Sequence, residues 1–324
     1  MFEAHEKNNR LGGEFMEKII TKYGILNDAI IAEYYSTGEP EAYKVEEYSE
    51  LKVLDYNLVP LHGFVDERRK EFPPVKVFKN GNIKSISLND LTVINTSIGV
   101  FEVEKITFYE DGEINRLFPL DGRLSGYWTE DDEYKLAKAY KFSFDFSSFE
   151  AKIMSLHFYE TQELKSITLW PKEKIKINVG EYNFAGRIGV SLYKSGKIKS
   201  CEPLIATNIK TPIGKIEAYD VNAMGIHGDS NSLEFYEDGS IKSLITSTNT
   251  ITIKTSEGDT IFHSPKKIRL YSNSEVLDTI TLKVEFIDDK VIIDKQYEYE
   301  IKENKFEIKA FGERHFTLNG DRNK

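Results

Sequence analysis

Segment 219–232 carries the residue types that could perform nucleophilic chemistry. It reads YDVNAMGIHGDSNS and places an imidazole, a carboxylate and a hydroxyl close together, at His227, Asp229 and Ser230. A serine hydroxyl becomes a nucleophile when a neighbouring base takes its proton and a third group orients that base. Small polar residues also build loops with local Asx-type turns. We predict such a loop here and keep His227, Asp229 and Ser230 as candidate binding-surface residues.

Gly228-Asp229-Ser230 resembles the nucleophile block of the GDSL/SGNH esterases, and the resemblance covers three residues. It implies a hydrolase with its nucleophile at Ser230. That family carries the block early in an α/β fold and an Asp-x-x-His pair near its end, whereas neither His263 nor His315 has an aspartate three residues before it. We therefore predict no catalytic residue and keep a hydrolase site in 219–232 as a second alternative function.

No metal or cofactor site is predicted. The histidines at 62, 157, 227, 263 and 315 have no metal-ligand spacing, and the chain has one cysteine, Cys201. The acidic run 130–133 lacks the alternating oxygen ligands of a calcium loop. No glycine-rich phosphate loop with its Lys-Ser/Thr occurs. We expect Cys201 to be a buried or edge-strand thiol, because no local pattern supplies it with a base.

The candidate residues must be positioned by the secondary-structure elements around them, and the sequence segments that form these elements are repeated. Each copy reads apolar, any residue, apolar, aromatic, two turn residues and glycine, followed in most copies by a short Lys-Ser strand. Alternation on both sides of a glycine turn predicts a β-hairpin, because tight turns need a residue at positive φ. The copies occupy segments 75–86, 106–117, 156–167, 190–200 and 233–244, and Gln162 replaces the glycine in one of them.

A second glycine turn follows the first at a nearly constant distance. The interval is 18 residues from Gly81 to Gly99 and again from Gly196 to Gly214. The repeating unit is therefore predicted to be two hairpins. Weaker copies at 32–42 and 268–274 place first turns near 38, 81, 112, 162, 196, 239 and 274. The second hairpins are predicted at 92–100, 174–181, 208–215 and 251–259.

Four tyrosines recur at the same repeat position, directly before the turn: Tyr109, Tyr159, Tyr193 and Tyr236. If they are exposed they form a ladder that could bind a carbohydrate or cell-envelope polymer, which is the first alternative function. If they are buried they cover the second face of the sheet.

The predicted fold is all-β: an array of repeated antiparallel β-hairpins forming an elongated twisted sheet or open roll, with one short helix. The helix is expected near 130–140, because Thr129 can cap it and acidic residues suit its first turn. The array is expected to span 16–284. Segment 285–318 reads as a closing β-segment.

The two ends of the chain are expected to lie outside the array. Leu11-Gly12-Gly13 back-translates to a ribosome-binding site placed before Met16. Residues 1–15 are therefore predicted to be a spurious or disordered extension, and 319–324 a disordered tail.

Composition narrows the possible partners. The net charge is −10 and the lysines are interleaved with acidic residues, so neither nucleic acid nor a membrane is a predicted partner. Hydrophobic residues at 40% and charged residues at 30% suit thin sheets with one wet face. No apolar run has the length of a membrane span, and the polar N-terminus lacks a signal-peptide core. A cytoplasmic location is predicted.

Segment 108–128, FYEDGEINRLFPLDGRLSGYW, resembles the MORN-repeat variant found in YwqK-like bacterial proteins. In that group an aromatic pair, a glycine turn and a Lys-rich strand recur as hairpins. The resemblance implies a hairpin array with interaction roles, such as antitoxin or assembly scaffold, and supplies no catalytic residues. The expected function is a bacterial, cytoplasmic protein-binding module or scaffold, whose partner is another protein.

Overall fold

The computed structural model describes residues 17–63, 67–224, 228–269 and 277–312. Within these ranges the chain forms 27 β-strands and one α-helix. The prediction of an all-β hairpin fold with one short helix is confirmed. The predictions made for residues 1–15, for the turn near 274 and for the tail 319–324 lie outside the described residues.

The chain divides into two compact units. The first consists of the described residues up to Glu173 together with Leu192–Gly196, and the second of Lys174–Ser191 and the described residues from Lys197 onward.

The first unit contains twelve strands and the helix. They are β1 (Glu17–Thr21), β2 (Gly24–Tyr34), β3 (Pro40–Val45), β4 (Leu51–Val53), β5 (Tyr56–Leu58), β6 (Val75–Val77), β7 (Ile83–Thr96), β8 (Gly99–Phe108), β9 (Ile114–Phe118), α1 (Glu130–Leu136), β10 (Ala139–Phe144), β11 (Ser147–Phe158) and β12 (Leu164–Leu169). All pairings are antiparallel: β1, β2, β3, β6, β7, β8, β9 and β11 follow one another, β10 and β12 also pair with β11, and β4 pairs with β5.

The second unit contains the remaining strands. They are β13 (Ile175–Val179), β14 (Tyr182–Leu192), β15 (Ile198–Pro203), β16 (Thr207–Thr211), β17 (Gly214–Ala218), β18 (Leu233–Phe235), β19 (Ile241–Thr246), β20 (Asn249–Lys254), β21 (Thr260–His263), β22 (Lys266–Arg269), β23 (Leu277–Ile280), β24 (Leu282–Ile287), β25 (Lys290–Ile293), β26 (Tyr297–Glu300) and β27 (Lys305–Ala310). Strands β15, β18, β19, β24, β25 and β26 pair in that order, β13 pairs with β14, β16 with β17, β22 with β23, and β20 lies between β21 and β27.

The first hairpins of the six repeats whose turns the structure describes share one turn geometry. The residue in the glycine slot donates its backbone N–H to the carbonyl of the aromatic residue three positions earlier, over 2.8 to 3.0 Å, and the slot residue has positive φ. A type I turn followed by a left-handed residue and a bulge is one of the common hairpin connections. The slot is occupied by Gly38, Gly81, Gly112, Gln162, Gly196 and Gly239.

The second hairpins also form where the sequence predicts them. Segments 92–100, 174–181, 208–215 and 251–259 contain the turns of β7–β8, β13–β14, β16–β17 and β20–β21. The repeating unit of two hairpins is therefore present in the structure.

The expectation of one wet sheet face is wrong for strands β12 and β15. In β12 and β15 all but one of the six residues are buried. Their second faces carry small polar side chains such as Ser166 and Ser200, which can be buried because they find hydrogen-bond partners. Ser200, for example, lies 2.6 Å from Ser191, oxygen to oxygen.

The single helix α1 begins where the sequence predicts. The Thr129 side chain accepts the N–H of Asp132 at 3.2 Å, and four acidic residues occupy the first turn. The helix ends at Leu136, because Ala137 has extended backbone angles.

Candidate functional site

The four tyrosines of the predicted ladder are all half-buried. The hydroxyl of Tyr109 donates to the carbonyl of Phe158 at 2.7 Å, and that of Tyr159 donates to the carbonyl of Leu192 at 2.8 Å. Each acceptor directly precedes the next ladder tyrosine in the chain. These hydroxyls therefore connect one aromatic hairpin to the next, and we call each such bond a tyrosine strap.

The strap also occurs at a third ladder tyrosine and at one tyrosine outside the ladder. Tyr236 donates to the carbonyl of Phe286 at 2.8 Å. Tyr35, which is not a ladder position, donates to the carbonyl of Val77, which precedes Phe78, at 2.9 Å. Because a buried or half-buried hydroxyl is stabilised by a partner, the straps give the repeated tyrosine a structural role.

Two lysines lie over one of the ladder rings. The ammonium groups of Lys165 and Lys194 lie 5.4 and 5.5 Å from the centre of the Tyr159 ring, within cation–π range. In the part of the chain that the structure describes, no cation lies over the ring of Tyr236. The four positions are therefore not equivalent as ligand platforms.

The other predicted site residues lie in the loop between β17 and β18. His227 lies outside the described residues. Asp229 is half-buried, and Ser230 is exposed. The Ser230 hydroxyl has no hydrogen-bond partner among the described residues, whereas an activated nucleophile is bonded to its base. The described part of the loop therefore shows no catalytic pair.

The end of this loop is held by a buried carboxylate. Glu202, on β15, is 1% exposed and accepts the backbone N–H of Ser232 at 2.8 Å. Asn231 donates to the hydroxyl of Ser200, two residues earlier on the same strand, at 2.8 Å. The side chains of alternate residues lie on one face of a strand, so Ser200 and Glu202 together form the surface on which the loop sits.

Burial raises the pKa of the Glu202 carboxyl, and the charge of Asp220 adds to that shift. The Ser232 hydrogen bonds and the guanidinium of Arg187, 3.7 Å away, act in the opposite direction. The Oε1 atom of Glu202 has no hydrogen-bond partner among the described residues, and neither has the Oδ1 atom of Asn231.

The start of the loop is held by Arg187. Its Nε donates to the carbonyl of Pro203 at 3.2 Å, and its Nη2 donates to the carbonyl of Asp220 at 2.8 Å. The guanidinium also lies 5.2 Å from the ring centre of Tyr219. The chain after β15 and the start of the loop are thereby fixed side by side.

Two further bonds attach the loop to β23 and to the turn between β19 and β20. The side chain of Asn222 donates to the carbonyl of Thr279 on β23 at 2.6 Å, and the N–H of Val221 donates to the Ser247 hydroxyl at 3.0 Å. Both ends of the described loop are therefore anchored.

Large apolar side chains are exposed on the segments that these bonds bring together. Ile205 is 68% exposed and Met224 is 73% exposed, and about half of Val221 and of Ile280 is exposed. We call these four residues the loop patch. Each of the four lies on the loop or within two residues of a group that bonds to Arg187 or Asn222, and exposed apolar groups concentrated in one region often mark an interaction surface.

Sequence reasoning missed the buried charges. Besides Arg187 and Glu202, the first unit contains a cluster in which Arg68 donates to both oxygens of Glu104, at 2.8 and 2.7 Å, and to Glu133. Glu133 belongs to the acidic run at the start of α1, where only the helix dipole was expected to matter. The one local signal for Glu202 is its place in β15 directly after two small residues, Ser200 and Cys201.

Cys201 is a buried thiol, and burial raises its pKa well above the ordinary value. It is therefore protonated at neutral pH and is not an activated nucleophile. Over the described ranges, no group of three or more His, Cys, Asp or Glu side chains is placed to hold a metal ion. No described helix combines the length and the apolar character needed to cross a membrane.

A scan against protein-family models, a search of curated proteins and a search of solved structures each found no match to this chain.

Proposed function

We propose that this protein is a protein-binding module and that the loop patch is its contact surface. The observation that carries the proposal is the anchoring of a loop that exposes apolar side chains. Met224 and Val221 are exposed on a segment that Arg187 and Asn222 hold in place. A preformed apolar surface loses little conformational entropy on binding, which favours association with another protein.

The proposed setting is the cytoplasm. The single cysteine, Cys201, is free and buried, which suits a compartment that keeps thiols reduced. A bacterial origin and membership of the MORN-repeat variant stay predictions from the sequence.

The two alternative functions have less geometric support. Polymer binding along the whole ladder would need all four tyrosine rings to be open, and two ammonium groups already lie within cation–π range of the Tyr159 ring. A hydrolase site would need a base at Ser230, and the described residues supply none.

Site-specific photo-crosslinking in the native host tests the proposal. A photo-reactive phenylalanine analogue at Met224 should give a discrete crosslinked species with another protein. The same analogue at Ile20, which is 78% exposed in the first unit, is the matched control and should not give that species.

Substituting charged residues into the loop patch is an independent test of the proposed protein contact. Met224→Glu and Ile205→Glu should abolish the crosslink made from position 221, because each places a charge in an apolar contact. The fold should be unaffected, since both side chains are exposed. An identical crosslinking pattern from positions 20 and 224, or a crosslink that survives both substitutions, would contradict the proposal.

A further inference from the structure

A cleft of about 540 Å³ lies in the second unit where four hairpin turns converge. The turns are those between β13 and β14, β16 and β17, β18 and β19, and β24 and β25. Its volume falls within the range of roughly 300–1,000 Å³ typical of small-molecule sites. The cleft is separate from the loop patch, and none of the loop-patch residues lines it.

Two half-buried tyrosines form aromatic walls of the cleft. The hydroxyl of Tyr236 donates to the carbonyl of Phe286 at 2.8 Å, and the hydroxyl of Tyr182 donates to the carbonyl of Lys210 at 2.9 Å. Both acceptor residues also line the cleft. Because their hydroxyls are bonded to the backbone, the two rings are held in place before any ligand arrives.

Three charged side chains line the same cleft: Glu181, Lys210 and Asp288. All three are exposed. Among the described residues, none of them makes an ion pair or a side-chain hydrogen bond. Residues with unpaired charges of both signs therefore border one cleft.

The chemistry of this lining selects its ligand. A ligand with one net charge would be attracted by one of these groups and repelled by another of opposite sign. A neutral hydroxyl can donate to a carboxylate and accept from an ammonium group, so a ligand rich in hydroxyls satisfies both. The C–H faces of a sugar ring are apolar and can pack on an aromatic face. We propose that this cleft binds a saccharide, stacked on Tyr236 and hydrogen-bonded to Lys210 and Asp288.

Isothermal titration calorimetry with maltohexaose, cellohexaose and chitohexaose tests the assignment. At least one of the three should bind with a Kd below about 1 mM. Asp288→Asn and Lys210→Ala should each weaken that binding about tenfold, because each removes a charge-assisted hydrogen bond. Asparagine tolerates the positive φ of 53° at position 288, so this variant should fold normally.

Tyr236→Ala should abolish binding by removing the stacking face. If that variant fails to fold, the binding measured for Asp288→Asn and Lys210→Ala is sufficient to test the assignment. Tyr127→Ala, at a tyrosine 91% exposed in the first unit, is the matched control and should bind normally. Met224→Glu should also leave saccharide binding unchanged, which separates this site from the proposed protein contact. No binding of any of the three sugars up to about 10 mM, or binding that survives all three cleft substitutions, would overturn the assignment.

Discussion

Glu202 lies beneath the loop that carries the proposed contact surface. One of its carboxylate oxygens accepts the N–H of Ser232, and the other has no hydrogen bond in the described part of the chain. Burial makes the ionised form unfavourable and raises the pKa of this carboxyl. Relative to the unfolded chain, folding therefore favours the protonated form of this carboxyl.

A substitution at Glu202 should change how the free energy of unfolding depends on pH. Because the folded pKa is raised, the stabilisation is fully present below the unfolded value, near 4.5, and is lost as pH rises through the folded pKa. Relative to Glu202→Gln, the wild type should lose free energy of unfolding over that window, by about 1.4 kcal/mol for each unit of pKa shift. Urea denaturation at several pH values measures the difference.

Glu181→Gln is the matched control, because Glu181 is exposed and makes no ion pair or side-chain hydrogen bond in the described chain. If the Glu202→Gln profile differed from the wild type no more than the Glu181→Gln profile does, burial of the Glu202 carboxylate would have no pH-dependent effect.

Arg68 joins two carboxylates that the fold has largely removed from water. The Arg68 and Glu104 side chains are each 12% exposed, and Glu133 is fully buried. Trp128 also donates its indole N–H to Glu133 at 3.0 Å. Removing one partner of such a group leaves the other charges buried and uncompensated.

Arg68→Met should lower the free energy of unfolding by about 3–5 kcal/mol. Adding Glu133→Gln to that variant should recover part of the loss, because it neutralises one of the charges left behind. Chemical denaturation measures both effects. Lys135→Met, which breaks an exposed ion pair with Asp132, is the control and should change stability little. Similar losses for Arg68→Met and Lys135→Met would refute a buried cluster.

The hairpin is the element that the sequence repeats. One of its turns has glutamine where the other described turns have glycine. Gln162 adopts a φ of 68° in a slot that glycine occupies elsewhere. Its side-chain amide donates to the carbonyl of Ile114 at 3.0 Å, and Ser97 donates to its backbone carbonyl at 3.1 Å. These bonds offset the strain of a left-handed conformation in a residue with a Cβ.

The tyrosine strap should contribute measurably to the stability of the first unit. Tyr159→Phe keeps the ring and leaves the carbonyl of Leu192 without this donor, so the free energy of unfolding should fall by about 0.5–1.5 kcal/mol. Urea denaturation gives the value. Tyr127→Phe removes an exposed hydroxyl and should have no effect. An equal response of the two variants would show that the strap does not stabilise the fold.

Burial differs between the strands of the molecule. We expect strands with more buried residues to be locally more stable. Strands β12 and β15 are buried on both faces, whereas three of the four residues of β22 are exposed. Regions with few buried apolar groups open with smaller free energies.

Hydrogen exchange followed by mass spectrometry should show this order. Amides of β11 and β12 are expected to exchange slowest in the first unit, and those of β22 and β23 are expected to exchange early in the second. The amides of β11 and β12 and those of β22 and β23 are compared within the same experiment, so each group is the control for the other. Equal protection of β22–β23 and β11–β12 would contradict the expected distribution.

Much of the fold follows from local patterns. The alternation around Gly81 and Gly239 predicts hairpins that form as expected, because a two-residue period and a turn requirement are satisfied within a dozen residues. Thr129 likewise predicts the start of α1. The candidate site was only partly predictable. The irregular composition of the loop after β17 was recognised from the sequence, whereas Arg187 and Glu202, which hold the loop, were not.

The sequence by itself determined the strand periodicity, the turn positions and the helix cap, since each depends on residues close together in the chain. The tertiary structure decided which charges are buried and what the repeated tyrosines do. Arg68 meets Glu104 and Glu133 across 36 and 65 residues of chain, and Tyr159 reaches Leu192 across 33. Such contacts leave no local pattern, because their partners are brought together only when the sheets form.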